Sequence, residues 1–125
     1  MIKLLEHTRR PDITFWRDGR IYITARVARL LSLRPGDALN IAVRDGEYLL
    51  HAIHLHNAIG YHEAQCFPTN KRKGRGNNLR ANSVRLCRIL LNSSGITADR
   101  ASYMIGEAFV QDSVTYVPII TLHPL

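Results

Sequence analysis

Short β-branched and aromatic runs alternate along the chain with two amphipathic stretches. "ITFW" (13–16) and "RIYI" (20–23) have the composition of strands, and "RDG" at 17–19 between them reads as a tight turn. "TARVARLLSL" follows. Thr24 suits a helix N-cap. Val27, Leu30 and Leu31 fall at i, i+3 and i+4 and predict one buried helical stripe, with Arg26 and Arg29 on another face. "RPGD" at 34–37 ends that helix, and "ALNIAV" with "EYLLHAI" predicts a hairpin around a second "RDG" at 44–46. The second half runs in the same order. "AIGYHEAQCF" (58–67) predicts a strand, "SVRLCRILL" a helix, and "SYMIGEAFV" with "VTYVPIITL" a hairpin around "QDS" at 111–113. Pro118 cannot donate to a ladder, so the last strand is expected at a sheet edge or at a bulge.

Overlaying the halves sharpens this order. "TARVARLL" (24–31) lies over "SVRLCRIL" (83–90) at an offset of 59, with Thr24 over Ser83, Arg26 and Arg29 over Arg85 and Arg88, and Val27, Leu30 and Leu31 over Leu86, Ile89 and Leu90. "AVRDGEYLL" lies over "FVQDSVTYV" at an offset of 67, the extra residues falling at "NSSGITADR", where a longer loop is easily accommodated. The pattern predicts an internal duplication within one domain, 1–125, with repeat 1 at about 12–56 and repeat 2 at about 57–125. The helices at 24–33 and 83–92 should superpose, and Leu30 and Ile89 should lie in the core.

Charge changes the picture. The 125 residues suit one core, and 46% hydrophobic against 22% charged residues excludes wholesale disorder. The net charge is +7, and fourteen of the seventeen basic residues are arginines. Arginine suits forked contacts to phosphate and guanine, so nucleic acid is the expected partner class. Lys71, Arg72, Lys73, Arg75 and Arg80 precede the second helix with no acid among them. A helix start already carries partial positive charge, so this run points to an anion.

Other chemistry is thin. "MIKLLEH" is too short for a signal peptide, no segment approaches the ~20 apolar residues that span a bilayer, and Cys66 and Cys87 form no disulfide framework, which predicts reduced thiols, a cytoplasmic location and no membrane partner. His51, His54, His56, His62 and Cys66 lack the spacing of a metal set; strand periodicity places His54 and His56 on one face and His51 on the other. Cys66 with His62 as base has no third orienting group, and "KGRG" lacks the context of a phosphate-cradling loop. No catalysis, cofactor or metal is expected. Trp16 and Tyr22 read as core or rim aromatics rather than as stacking platforms.

"GRIYITARVARLLSLRPGDALNIAVRDGEYLL" resembles the AbrB/SpoVT family of swapped-hairpin DNA-binding proteins. The matching pieces are Gly19-Arg20, "IYI", "ARVARLLSL", Pro35-Gly36-Asp37 and "ALNIAV"; Thr24 stands where the family usually has proline and Arg26 where it often has an acid. The resemblance covers about a third of the chain closely. It implies a β-rich α+β fold: a small barrel of two strand–helix–hairpin units with two short helices, a swapped-hairpin pseudo-dimer made by a single chain. It further implies a DNA-binding regulator or architectural factor. Phosphates of duplex DNA would meet Arg17, Arg20, Arg26, Arg29, Lys71, Arg72, Lys73, Arg75, Arg80, Arg85 and Arg88. The alternatives are a module binding an acidic protein (antitoxin-like or other) and a single-stranded nucleic-acid binder. A homodimer is left open.

Overall fold

The computed structural model describes residues 10–55, 62–69 and 78–121. The first strands, β1 (Ile13–Trp16) and β2 (Arg20–Ile23), form a hairpin whose turn closes with Gly19 N–H donating to Trp16 O at 3.0 Å. Gly19 has φ +107°, and a Cβ there would lie 2.8 Å from Val84. Only glycine fits, because the start of the second helix rests on this turn, Ser83 N–H donating to Gly19 O at 2.8 Å. Helix α1 (Ala25–Leu31) ends at Ser32 in the left-handed region, φ 55°. Strands β3 (Ala38–Arg44) and β4 (Glu47–Ile53) follow, then β5 (Phe67–Pro68), β6 (Leu79–Asn82), helix α2 (Val84–Ser93), β7 (Arg100–Ile105), β8 (Phe109–Gln111) and β9 (Val114–Ile120). The β3–β4 turn has φ 50° and 77° at Asp45 and Gly46, and the β8–β9 turn has 52° and 64° at Asp112 and Ser113. Both central residues being positive is the two-residue turn whose twist matches a hairpin.

The strands form one antiparallel sheet in the order β3-β4-β9-β7-β1-β2-β6-β5, with β8 paired to β9. It curls into a barrel-like form, and its two ends meet. An Ala38–Gln65 bridge, Leu39 N–H to Ala64 O at 3.0 Å and Cys66 N–H to Asp37 O at 2.7 Å make the closing seam. Inside lie Ile13, Phe15, Ile21, Ile23, Leu50, Tyr103 and Val117, with Phe15 edge-on to Tyr103 at 6.0 Å. The fold is thus β-rich with two short helices, and no helix among the described residues is long and apolar enough to cross a membrane.

Several expectations need correction. The helices bury Val27, Ala28 and Leu31, and Cys87, Leu90 and Leu91. Leu30 (38% exposed) and Ile89 (49%) lie outside the core. Each helix is rotated by about one position from the expected stripe, because the small Ala28 and Cys87 let the helix approach the sheet closely. The predicted strand at 58–67 is reduced: residues 58–61 lie outside the described set, Glu63–Ala64 turn, Gln65 makes the seam bridge, and only Phe67–Pro68 is strand. Thr24 occupies the N-cap, but its hydroxyl donates to Asp12 O (2.8 Å), and the first free amide of α1, Ala25 N–H, goes instead to Asn78 Oδ1 (2.8 Å). Ser83 does cap α2, accepting from Leu86 N–H at 3.1 Å.

Pro118 sits in an interior strand, between β4 and the β7–β8 side. Its carbonyl accepts from Gly106 N–H (2.8 Å). A strand residue points both backbone groups the same way, so its donorless nitrogen also faces this side. There the three residues 106–108 oppose only Val117 and Pro118, a bulge that needs no proline donor.

Candidate nucleic-acid interface

Strand alternation sorts the arginines. On β2 and β6 the buried Ile21, Ile23, Leu79 and Ala81 point inward, which turns Arg20, Tyr22, Arg80 and Asn82 outward. On β7, Ala101, Tyr103 and Ile105 point inward, so Arg100 and Ser102 point outward beside Trp16 and Thr14 of β1. Two cross-strand rows result. One runs Ser102–Thr14–Tyr22–Arg80–Phe67; the other contains the pairs Arg100–Trp16 and Arg20–Asn82. The Thr14 and Ser102 hydroxyls are joined at 2.8 Å. No acid occupies a position in either row.

Aromatic rings support the cations. The Arg20 guanidinium lies 4.9 Å from the Trp16 ring centroid, and Arg80 lies 5.9 Å from that of Phe67. Arg20 also pairs with the exposed Asp18 at 2.9 Å in the turn. Arg80 and Arg100 make no ion pair among the described residues.

The helix arginines divide. Arg26 reaches the buried Asp12 at 3.3 Å, and Arg85 reaches Glu63 at 2.9 Å; Glu63 also accepts from the Ser83 hydroxyl at 2.6 Å. Their acids come from distant strands and loops, not from i±4. Arg29 and Arg88 are exposed, and neither makes an ion pair among the described residues. Arg17 does not project as a free cation. Its guanidinium donates to Ile96 O (2.6 Å), Asn92 Oδ1 (3.0 Å) and Ala98 O (3.4 Å), tying the exit of α2 to the β1–β2 turn.

Lys71, Arg72, Lys73 and Arg75 lie outside the described residues; the segment holding them leaves from Thr69 and returns at Asn78, where Thr69 N–H donates to Asn78 O at 3.1 Å. The described residues carry eleven arginines against nine acids, so most of the +7 charge resides in the segments outside them. Arg100, Phe67 and Asn82 belong to the face without having been marked by charge clustering. Alternation in "RASYMI" and "LRAN" is the signal that places Arg100 and Asn82; Phe67 carries none, since its strand is two residues long. Trp16 and Tyr22 are half-buried and outward, not core.

The titratable groups off this face serve the fold. Asp37 is 5% exposed. Burial pushes its carboxyl up, but the Arg34 and Leu55 N–H groups and the His54 ring (2.8 Å) outweigh this and hold it below its ordinary 3.8. Burial lowers His51, whose ring lies 5.4 Å from that of Tyr116. It pushes the Cys66 and Cys87 thiols up to about 12, far from the range of a nucleophile. No group of three or more His, Cys, Asp or Glu among the described residues is placed to hold a metal ion, and His56 lies outside them.

No protein-family model, curated protein or solved structure matches the chain significantly.

Proposed function

We propose that the chain binds DNA through the outer face of β7-β1-β2-β6-β5, as a regulator or architectural factor with no catalysis of its own. One observation carries this reading: five neighbouring strands present Arg100, Arg20 and Arg80 outward, Arg20 and Arg80 over aromatic rings, with no acid in the same rows. Phosphates meet these arginines, the helix arginines Arg29 and Arg88, and the cations of the segment joining β5 to β6.

The pairing registers support a two-unit, interleaved barrel. Leu50 pairs with Val117, its counterpart at the offset of 67. Ile21 pairs with Ala81, and Ala81 is the counterpart of Tyr22 at the offset of 59. Both pairings are what a local twofold between the halves requires. The strand after α2 pairs with β1 of the first half, and the strand after α1 meets Gln65 of the second. Such an exchange is what the AbrB/SpoVT resemblance implies, here within one chain.

Fluorescence anisotropy with labelled random-sequence duplex at several salt concentrations tests the reading. Log K should fall with log salt by about 0.9 per phosphate contact. Replacing Lys71, Arg72 and Lys73 together by Ala should flatten the slope by up to about 3. Arg44→Ala, outside this face on the β3–β4 hairpin, should change neither affinity nor slope. Absence of binding to any DNA at low salt overturns the reading and favours an acidic protein partner.

A further inference from the structure

We infer that a hollow in this face receives one unstacked base of a single-stranded nucleic acid. The inference rests on the nucleic-acid reading above and names the part of the ligand that the face recognises. The hollow has a volume of ≈ 420 Å³ and lies between the two cross-strand rows, bounded by Trp16, Arg20, Tyr22, Phe67, Arg80 and Asn82. Its size falls in the ordinary range for small-ligand sites, and like them it is mostly apolar with a few polar groups at its rim.

Three aromatic residues on the outer face of a sheet, Trp16 and Tyr22 half-buried and Phe67 exposed, form an apolar patch that a ligand can cover. Two of the rings already carry a guanidinium, at 4.9 and 5.9 Å. A guanidinium lying on a ring keeps its second plane open to another π system, while its N–H groups point sideways in that plane. One arginine can thus stack on a base and reach the adjoining phosphate. Arg20 gives only its Nε–H to Asp18, leaving its terminal N–H groups for this use. The exposed Asn82 side chain makes no hydrogen bond among the described residues, and it offers both a donor and an acceptor to a base edge.

The geometry also chooses between paired and unpaired bases. A duplex exposes base edges in its grooves and hides base faces in its stack. The hollow presents planar groups that match faces. Only a base free of its neighbours can use them, as in other sheet-based single-strand binders. An apolar peptide segment fits less well, because it would strip water from Arg20 and Arg80 without supplying an anion.

Trp16 is the chain's single tryptophan, so its emission reports on the hollow directly. The probes are dT12, U12, a twelve-residue abasic strand of equal charge, the dA12–dT12 duplex and polyglutamate. Saturable quenching by dT12, by U12 or by both supports the inference, with the abasic strand binding about tenfold weaker or worse. Phe67→Ala should narrow the gap between dT12 and the abasic strand, and Phe67→Tyr should restore it; unchanged far-ultraviolet circular dichroism excludes unfolding as the cause. Equal affinity for dT12 and the abasic strand with Trp16 emission unchanged, or equal quenching by duplex or polyglutamate, overturns the base site. In the first of those outcomes salt-dependent binding still stands, so the DNA reading survives; if no nucleic acid binds at low salt, both fall.

Discussion

The two helices leave their last turns in opposite ways. After α1, a carboxylate gathers the chain: Asp37 accepts from the Arg34 and Leu55 N–H groups and meets the His54 ring. After α2, a guanidinium does so: Arg17 donates to Ile96 O, Ala98 O and Asn92 Oδ1. The first exit needed an acceptor for exposed amides, the second a donor for exposed carbonyls. A charged side chain in this fold is therefore not a ligand contact by default, and Arg17 and Arg20, three positions apart, have unlike work.

The largest effects should separate what the helices share from what they do not. Leu90→Ala and Leu31→Ala should each destabilise by about 2–5 kcal/mol in denaturant titrations, because both side chains are buried against the barrel. Ile89→Ala and Leu30→Ala should cost about 1 kcal/mol or less. Equal losses at Ile89 and Leu90 would mean that α2 is seated on another face.

Next comes the guanidinium exit. Arg17→Ala leaves carbonyls of the 96–98 loop without their donor and should cost about 1–3 kcal/mol. Arg17→Lys should recover little of it, since an ammonium cannot span three acceptors as a planar fork does. Full recovery by lysine would reduce the clamp to charge alone. A smaller loss, about 1 kcal/mol, is expected for Ser83→Ala, which removes the α2 cap. The matching change for α1 is Asn78→Ala rather than Thr24→Ala, because Asn78 supplies the acceptor there. Melting temperatures of the three variants decide this.

For the carboxylate exit the expected effect is a slope rather than an offset. Asp37 holds its proton less tightly when folded than its ordinary 3.8, so its stabilisation is present above pH ~4 and disappears as pH falls through the folded value. Asp37→Asn removes that dependence. Wild type should lose stability faster than the variant on acidification below pH ~4; parallel curves would show that Asp37 does not hold the α1 exit through its charge.

These contrasts explain what could be read from the chain and what could not. The hairpin turns were legible, because "RDG" and "QDS" carry residues that tolerate positive φ, and both hairpins formed where expected. The helix faces were legible only to within one position: the i, i+3, i+4 pattern picked the larger Leu30 and Ile89, whereas the buried faces carry the small Ala28 and Cys87. Arg17 was illegible as a clamp, because its acceptors lie 75 to 81 residues away. The outward arginines of β2 and β6 were found through charge, but their aromatic supports were not. Trp16 read as a core or a rim aromatic, and the structure turns it outward and half-buried; Phe67 stood in a segment that pattern alone had made into a longer strand.

The closing seam gives the chain a chemical clock. Cys66 is fully buried beside the Ala38–Gln65 bridge, with its amide bonded across the seam and its thiol pushed up to about 12. At pH 8 about one such thiol in ten thousand is ionised, so an alkylating reagent waits for the seam to part. Cys87, equally buried and equally weak an acid, is held instead to β2 through Arg20 O. A seam fastened by so few hydrogen bonds should part before the core does. Cys66 would then be modified ahead of Cys87, and the ratio of their rates would report how much more readily the seam opens than the core.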